Sequence, residues 1–293
     1  MDNENVPYTN IRPARFSSFW YQDDSNLLFQ EIKEASLHTS NTHLLSSDEP
    51  TFMILPHSGL TYSKRALSQL LTGHPSPIRL AIIISPSHYV PLRPNTLYES
   101  DFDGYETPLG ELPHHSLKID FPTIVDNSPF LTEHAVEMIL PILAYKQQEQ
   151  QQKLHIAMFM INHLSAKETT KEIASSILTA LSSSGYSLQE TVVIASSDFT
   201  HYGKRFNYTP YEGEEESVDS LIKRADIKLI DQLINGEHTH ATTYPATPCG
   251  YAAMSIVSEM ARALNLRGKL IDYYTSKQIM QSDDSVSYAT IFF

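Results

Sequence analysis

The chain of 293 residues contains a single cysteine, Cys249. An intramolecular disulfide is therefore excluded, and so are zinc sites built from several cysteines. No apolar run approaches the ~20 residues needed to span a bilayer. The opening MDNENVPYTN carries Asp2 and Glu4 and lacks the hydrophobic segment of a secretory signal. A cytoplasmic protein with no membrane span is expected. Basic residues are few, 21 Lys and Arg against 34 Asp and Glu, for a net charge of -13. They form no stripe that could follow a phosphate backbone, which argues against nucleic acid as a partner. The acidity gathers most clearly at Glu212, Glu214, Glu215 and Glu216 and serves solubility. Internal repeats are absent, and neither the polar stretch 38–50 nor the glutamine-rich 147–152, read as a solvated helix end and loop, resembles a domain linker. One domain over 1–293 is expected, with 1–17 as an extended or poorly ordered start.

What is present is an alternation of apolar strands and helical patterns. Residues 51–56 (TFMILP), 79–85 (RLAIIIS), 154–161 (LHIAMFMI) and 191–196 (TVVIAS) read as buried strands. Helical patterns occupy 63–71, 132–146, 167–181, 218–234 and 249–264, and Pro141 should kink or split the second of them. A strand or hairpin is expected around 96–110, and 286–293 should pair antiparallel with 269–274. Near-continuous apolar strands between helices predict an α/β domain, its mostly parallel central sheet flanked by helices.

Thirteen histidines are the other unusual feature. Three of the four strands run into polar clusters: Pro56-His57-Ser58-Gly59, Ser85-Pro86-Ser87-His88, and Ser196-Ser197-Asp198-Phe199-Thr200-His201. In parallel α/β sheets ligands bind beyond the carboxyl ends of the strands, where such loops converge. His57 or His88 alone reads as a polar turn residue; two at the same place after neighbouring strands point towards metal ligation, for which imidazole is the commonest side chain. Asp198 and His201 share a side if a helical turn begins there. They are then either a helix cap with an incidental histidine or a general acid/base with its orienting or metal-shell carboxylate. Cys249 follows Thr247 and Pro248, a cap and first helical residue in type. In that first turn its thiol pKa would be lowered, making it a metal ligand or nucleophile; the alternative is a buried, inert thiol. Glu133 and His134 open a helix after Thr132, so capping is the simpler account of them, with His134 or Glu137 lining a pocket as the other. Tyr62, Tyr89, Tyr202 and Tyr288 can wall a pocket or simply fill boundary positions.

The order of these motifs resembles the Memo family over residues 18 to 293. The resemblance is carried by Ser18-Phe19-Trp20-Tyr21, Pro56-His57-Ser58-Gly59 with Tyr62, Pro86-Ser87-His88, Glu133-His134-Ala135-Val136-Glu137, Ser196-Ser197-Asp198-Phe199-Thr200-His201-Tyr202-Gly203, Pro248-Cys249-Gly250 and Asp284-Ser285-Val286-Ser287-Tyr288-Ala289. It implies a fold akin to class III extradiol dioxygenases, which hold Fe(II) with two histidines and a carboxylate. Carried over, His57 and His88 match the histidine ligands, Cys249 replaces the carboxylate, and His201 matches the acid/base, with Asp198 beside it. The chain departs from the family pattern at Ser58, where alanine is usual, and at Tyr89 and Ile139, where histidines are usual.

These readings define three expectations. The first is a metal-dependent oxidoreductase or redox protein, with Fe(II) first and copper next, because thiolate is a soft ligand. The second is a pocket that binds a peptide or small molecule without catalysis. The third is a hydrolase: a zinc enzyme, for which His, His and Cys plus water form a known catalytic set, or a serine enzyme using Ser196 or Ser197, which the lack of a G-x-S-x-G elbow disfavours.

Overall fold

The computed structural model describes residues 10–37, 51–74, 77–211, 216–237 and 246–293. The stretch 38–50 and Glu212, Glu214 and Glu215 of the acidic cluster lie outside the described residues. Its strands are β1 (Ile11–Arg12), β2 (Thr51–Leu55), β3 (Leu80–Ser85), β4 (Leu97–Glu99), β5 (Gly104–Tyr105), β6 (Leu112–Pro113), β7 (Thr123–Val125), β8 (His155–Met160), β9 (Thr191–Ser196), β10 (His201–Tyr202), β11 (Lys269–Thr275) and β12 (Ser285–Phe292). The helices are α1 (Ser25–Leu37), α2 (Leu60–Leu67), α3 (Gln69–Gly73), α4 (Ser128–Leu131), α5 (His134–Glu137), α6 (Leu140–Gln150), α7 (Lys167–Ser182), α8 (Val218–Ile234) and α9 (Tyr251–Ala263).

The large sheet runs β10-β12-β2-β9-β3-β8-β4-β7, with β11 on β12. Its centre, β2-β9-β3-β8, is parallel, and these are the four strands with the longest apolar runs. Outside the centre, β4 pairs parallel with β7, while β12 pairs antiparallel with β2, β10 and β11, and β4 antiparallel with β8, so antiparallel strands flank the expected parallel centre. Helices cover both faces, which is why the central strands are buried on both sides. Along β3, Leu80, Ile82 and Ile84 face the core beneath α7, α8 and α9, while Ala81 and Ile83 face the core beneath α1, α2, α3 and α6.

The helical pattern at 132–146 breaks between α5 and α6, upstream of Pro141. A continuous helix would drive the Pro141 ring into the carbonyl four residues back, at Glu137. The chain instead restarts with Pro141 in the first turn of α6, where its missing N–H costs nothing. The glutamines at the end of α6 are less solvated than their composition implies: Gln150 bonds to both backbone groups of Ile78, and Gln147 accepts from the Leu154 N–H.

The N-terminal segment is tied down from residue 10 onward. β1 pairs with β5 in a small separate sheet. Arg12 is fully buried and bonds to Glu137, equally buried, at 2.5 Å. Glu137 also accepts from the backbone N–H of Arg15 and Phe16 and from the Tyr21 hydroxyl at 2.6 Å. Each lone pair of this carboxylate is thus directed at the segment that leads to Trp20. Removing one partner of a buried ion pair leaves a charge without compensation. Glu137→Ala should lose about 3–5 kcal/mol of stability, measured by urea unfolding, and should free residues 10–21 to proteolysis.

Burial also lowers the pKa of His74 and His114, each to about 4 from 6.5. As pH falls below about 6.5, the unfolded chain takes up protons that the folded chain refuses, so stability drops towards pH 4. Each histidine contributes up to about 1.4 kcal/mol per pH unit in that window. The decline measured by urea unfolding between about pH 7 and pH 4 should be shallower in His74→Gln.

Candidate metal centre

β2, β9 and β3 are neighbours, and their carboxyl ends deliver His57, Asp198 with His201, and His88 to one place. These residues line a cleft of about 820 Å3. The fourth element is the turn ahead of α9. That helix begins at Tyr251 with Gly250 as its cap, so Cys249 precedes the helix rather than sitting in its first turn. The turn is docked on the end of β9: Cys249 N–H donates to the Asp198 carbonyl, and Gly250 N–H donates to Ser197 Oγ at 2.9 Å. A side chain at 250 would place its Cβ 2.5 Å from the Ser196 carbonyl. Glycine is therefore what lets the turn close on β9.

The hydrogen bonds fix which histidine nitrogens are free. Ser196 Oγ spends its only proton on the Ala135 carbonyl, 2.7 Å away. Its other contact, His57 Nδ1 at 2.9 Å, must then be the donor, leaving Nε2 with a bare lone pair. Nε2 lies 3.2 Å from Cys249 Sγ. His88 Nδ1 donates to Glu133 Oε1 and His201 Nδ1 to the Phe199 carbonyl, both at 2.9 Å. In all three rings Nδ1 is held by an acceptor and Nε2 is left for a ligand, the arrangement that orients metal-binding histidines.

Electrostatics agree. Burial lowers the pKa of His57 to about 3, so it is neutral at any ordinary pH. Burial likewise lowers His201, partly offset by Asp198. Glu133 is buried, which alone would raise its pKa, but its bonds to His134 and His88 hold it well below the usual carboxylate range. The thiol contradicts the sequence expectation. Burial pushes Cys249 up rather than down, and the nearby Asp198 charge adds to the rise. Without an ion, Sγ–H donates to His57 Nε2; an ion would displace that proton.

One donor atom each from His57, His88 and Cys249 lies within 4.8 Å of the others. Ligands around a tetrahedral ion with bonds of about 2.0–2.3 Å stand roughly 3.5 Å apart. A small contraction brings the three to that spacing, and neutral imidazoles beside a thiol are a fitting donor set. His88, Glu133 and His134 form a second such group. Their donors are already bonded to one another, with His134 Nδ1 3.1 Å from Glu133 Oε1, so this group supports the first.

Asp198 is buried beneath the centre and does not orient His201. It accepts from the His57 N–H at 2.9 Å and from Ser58 Oγ at 2.5 Å. The 198–200 stretch is not helical; His201 sits on β10, paired with Val286. His134 and Tyr89 both line the cleft, with the Tyr89 hydroxyl 3.2 Å from His134 Nδ1. Glu137 does not reach it, being committed to Arg12 and Tyr21. Tyr202 is buried outside the cleft, its ring stacked on Tyr211. Ser196 and Ser197 are fully buried hydrogen-bond bridges and face no substrate.

Sequence reasoning missed Glu133 as the support of His88. It was legible only as a charge favoured at a helix start, and it is the cap itself, accepting the Ala135 N–H in place of Thr132. It also missed Trp20, which packs 4.6 Å from the His134 ring and forms one wall, and Arg205 on the rim.

Comparison with known proteins identifies the family of the chain. The family model described as Memo-like protein matches residues 12–292. The chain belongs to the Memo family. Among similar proteins, a MEMO1 family protein of Thermoplasma volcanium is 27% identical, with 96% of this chain and 97% of that protein covered. Protein MEMO1 of Xenopus laevis is 28% identical, with 99% and 98% covered. A crystal structure of an uncharacterized Escherichia coli K12 protein superposes with a TM-score of 0.49 at 12% identity, over 84% of this chain and 100% of that one, too remote a likeness to carry an argument. Among the described residues, no helix of this Memo-family chain is long and apolar enough to cross a membrane.

The turn at Gly250 makes a direct test. In Gly250→Ala the new Cβ must push the turn off β9, so the Cys249 Sγ to His57 Nε2 contact opens. Thiol titration with an aromatic disulfide should be markedly faster than in the wild type, with far-UV circular dichroism unchanged.

Proposed function

We propose that this Memo-family protein binds one redox-active metal ion through His57, His88 and Cys249 and acts as a metal-dependent oxidoreductase or redox protein on a small molecule or peptide. The observation that carries the reading is the bare Nε2 of His57, enforced by Ser196 and aimed at Cys249 Sγ 3.2 Å away. Thiolate with two imidazoles favours Fe(II) or copper over Mg2+ or Ca2+, with Zn the third choice. Such an ion supplies Lewis acidity and, for iron or copper, one-electron chemistry. The protein's part is to hold the ligands and manage protons. Glu133 anchors His88 through both its backbone N–H and its ring, and Asp198 anchors the His57 backbone. His201, neutral and with Nε2 free towards the cleft, accepts a proton from bound substrate and returns it. Trp20 and Tyr89 both pack against His134 and wall the site.

A cleft that binds a peptide without catalysis is the second reading, supported by Phe19, 87% exposed on the rim beside Trp20. It requires partner binding to survive in a His57→Ala/His88→Ala variant.

Anaerobic reconstitution with Fe(II), followed by elemental analysis, tests the first reading. The wild type should retain a single ion per chain, Cys249→Ala should bind at least about tenfold more weakly, and Glu133→Gln should lose a comparable factor through His88. Equal, weak binding by wild type and Cys249→Ala would remove the thiolate from the site. Retention of zinc alone from gently purified protein would move the assignment to a hydrolase.

A further inference from the structure

Asp226, in the middle of α8, is fully buried and lies outside the cleft, and nothing in the chemistry above uses it. Burying a carboxylate is costly, and a cation usually accompanies one. Here the partners are neutral. Thr200 Oγ1 donates to Oδ1 at 2.5 Å and the Tyr273 hydroxyl to Oδ2 at 2.8 Å, with Ser287 Oγ and the Thr200 backbone amide completing the shell. These donors come from the site loop, β11 and β12, so one side chain of α8 joins three elements.

Burial raises the pKa of Asp226 and the surrounding hydroxyl donors oppose that rise; as the carboxylate it accepts hydrogen bonds and cannot donate them. Thr200 must therefore aim its hydroxyl proton at Asp226, and its oxygen lone pair is left for the Thr247 N–H, at 3.2 Å. Thr247 in turn accepts the His201 N–H through its own hydroxyl, at 3.3 Å. Thr247 stands two residues before Cys249, and Thr200 stands between Asp198 and His201. The donor direction imposed at Asp226 thus passes through one threonine to the His201 segment and the cysteine turn. On the other side, Phe199 N–H and Thr200 O bond to the Ser287 backbone, so the segment is held from two directions.

We propose that Asp226 is a positioning residue of the metal centre, acting through the Thr200 hydroxyl to fix His201 and, through Thr247, the turn that carries Cys249. This rests on the metal reading for Cys249 but not for His201, whose placement can be read in metal-free protein. An asparagine at 226 is nearly isosteric yet offers Thr200 either an acceptor or a donor face, so the direction of the relay is no longer imposed. The His57 backbone and Nδ1 are held by Asp198 and Ser196, so this path reaches His57 only at Nε2, through Cys249.

The experiment compares Asp226→Asn, Thr200→Val and the double variant with wild type. It follows imidazole 15N resonances in the metal-free protein, Co(II) affinity with the thiolate-to-cobalt charge-transfer band, and urea unfolding. Expected are shifted His201 resonances with His57 Nδ1 unmoved, about tenfold weaker Co(II) binding, and a double variant no worse than either single one. His201 resonances at wild-type positions in both single variants would overturn the proposal, as would losses in Co(II) affinity that merely follow stability and add in the double variant. If Asp226→Asn does not fold, Thr200→Val makes the same test on the link itself. Failure of the wild type to bind Co(II) would sink the metal reading, and the His201 resonances would still decide this one.

Discussion

Three consecutive side chains at the carboxyl end of β9 hold the centre together. Ser196 orients the His57 ring, Ser197 receives the Gly250 N–H of the cysteine turn, and Asp198 receives the His57 N–H and the Ser58 hydroxyl. Ser197 N–H also donates to the Leu55 carbonyl, locking the end of β9 to the end of β2. Because β9 lies between β2 and β3, this short segment is the only place from which one strand can reach both histidine loops among the central strands described. The polar groups are buried, so each must find its partner or carry the desolvation cost. That requirement makes the site rigid before any ligand arrives.

The same constraint explains how much of the molecule could be read from sequence. The four central strands were legible because burial on both faces demands uninterrupted apolar runs. The pairing of β11 with β12 was legible from its patterning. Less visible was α1, which buries only Leu28 and Ile32 and so carries a weak periodic signal; its cap, Asp24, is local chemistry that accepts the Asn26 and Leu27 N–H groups. The direction of the outer strands was also hidden, since a short strand such as β4 shows nothing in its composition about parallel or antiparallel pairing.

At the site, spacing after the strands pointed to His57, His88 and His201, the residues around Cys249 made it a candidate ligand, and the resemblance joined the four in one site. What spacing could not show is which way each partner faces. Asp198 lies three residues before His201, yet it serves His57, because the intervening chain is extended and its neighbour across the sheet is β2. The cysteine turn has the residue types of a helix start, but Gly250 takes the cap and Cys249 turns inward. Glu133 was read as a charge beside a Thr132 cap, and it is both the cap and the anchor of His88. Tertiary hydrogen bonds, which leave no periodic mark in a sequence, decided each of these cases.

Memo membership defines the scaffold, and the donors decide what it can hold. The most direct test of the account is X-ray absorption at the iron edge of protein reconstituted with Fe(II) under anaerobic conditions. A shell with one sulfur at about 2.3 Å beside imidazole nitrogens at roughly 2.1 Å, by analogy with thiolate and imidazole bonds to zinc, is the expected result. A shell of nitrogen and oxygen alone, with no sulfur contribution, would contradict it.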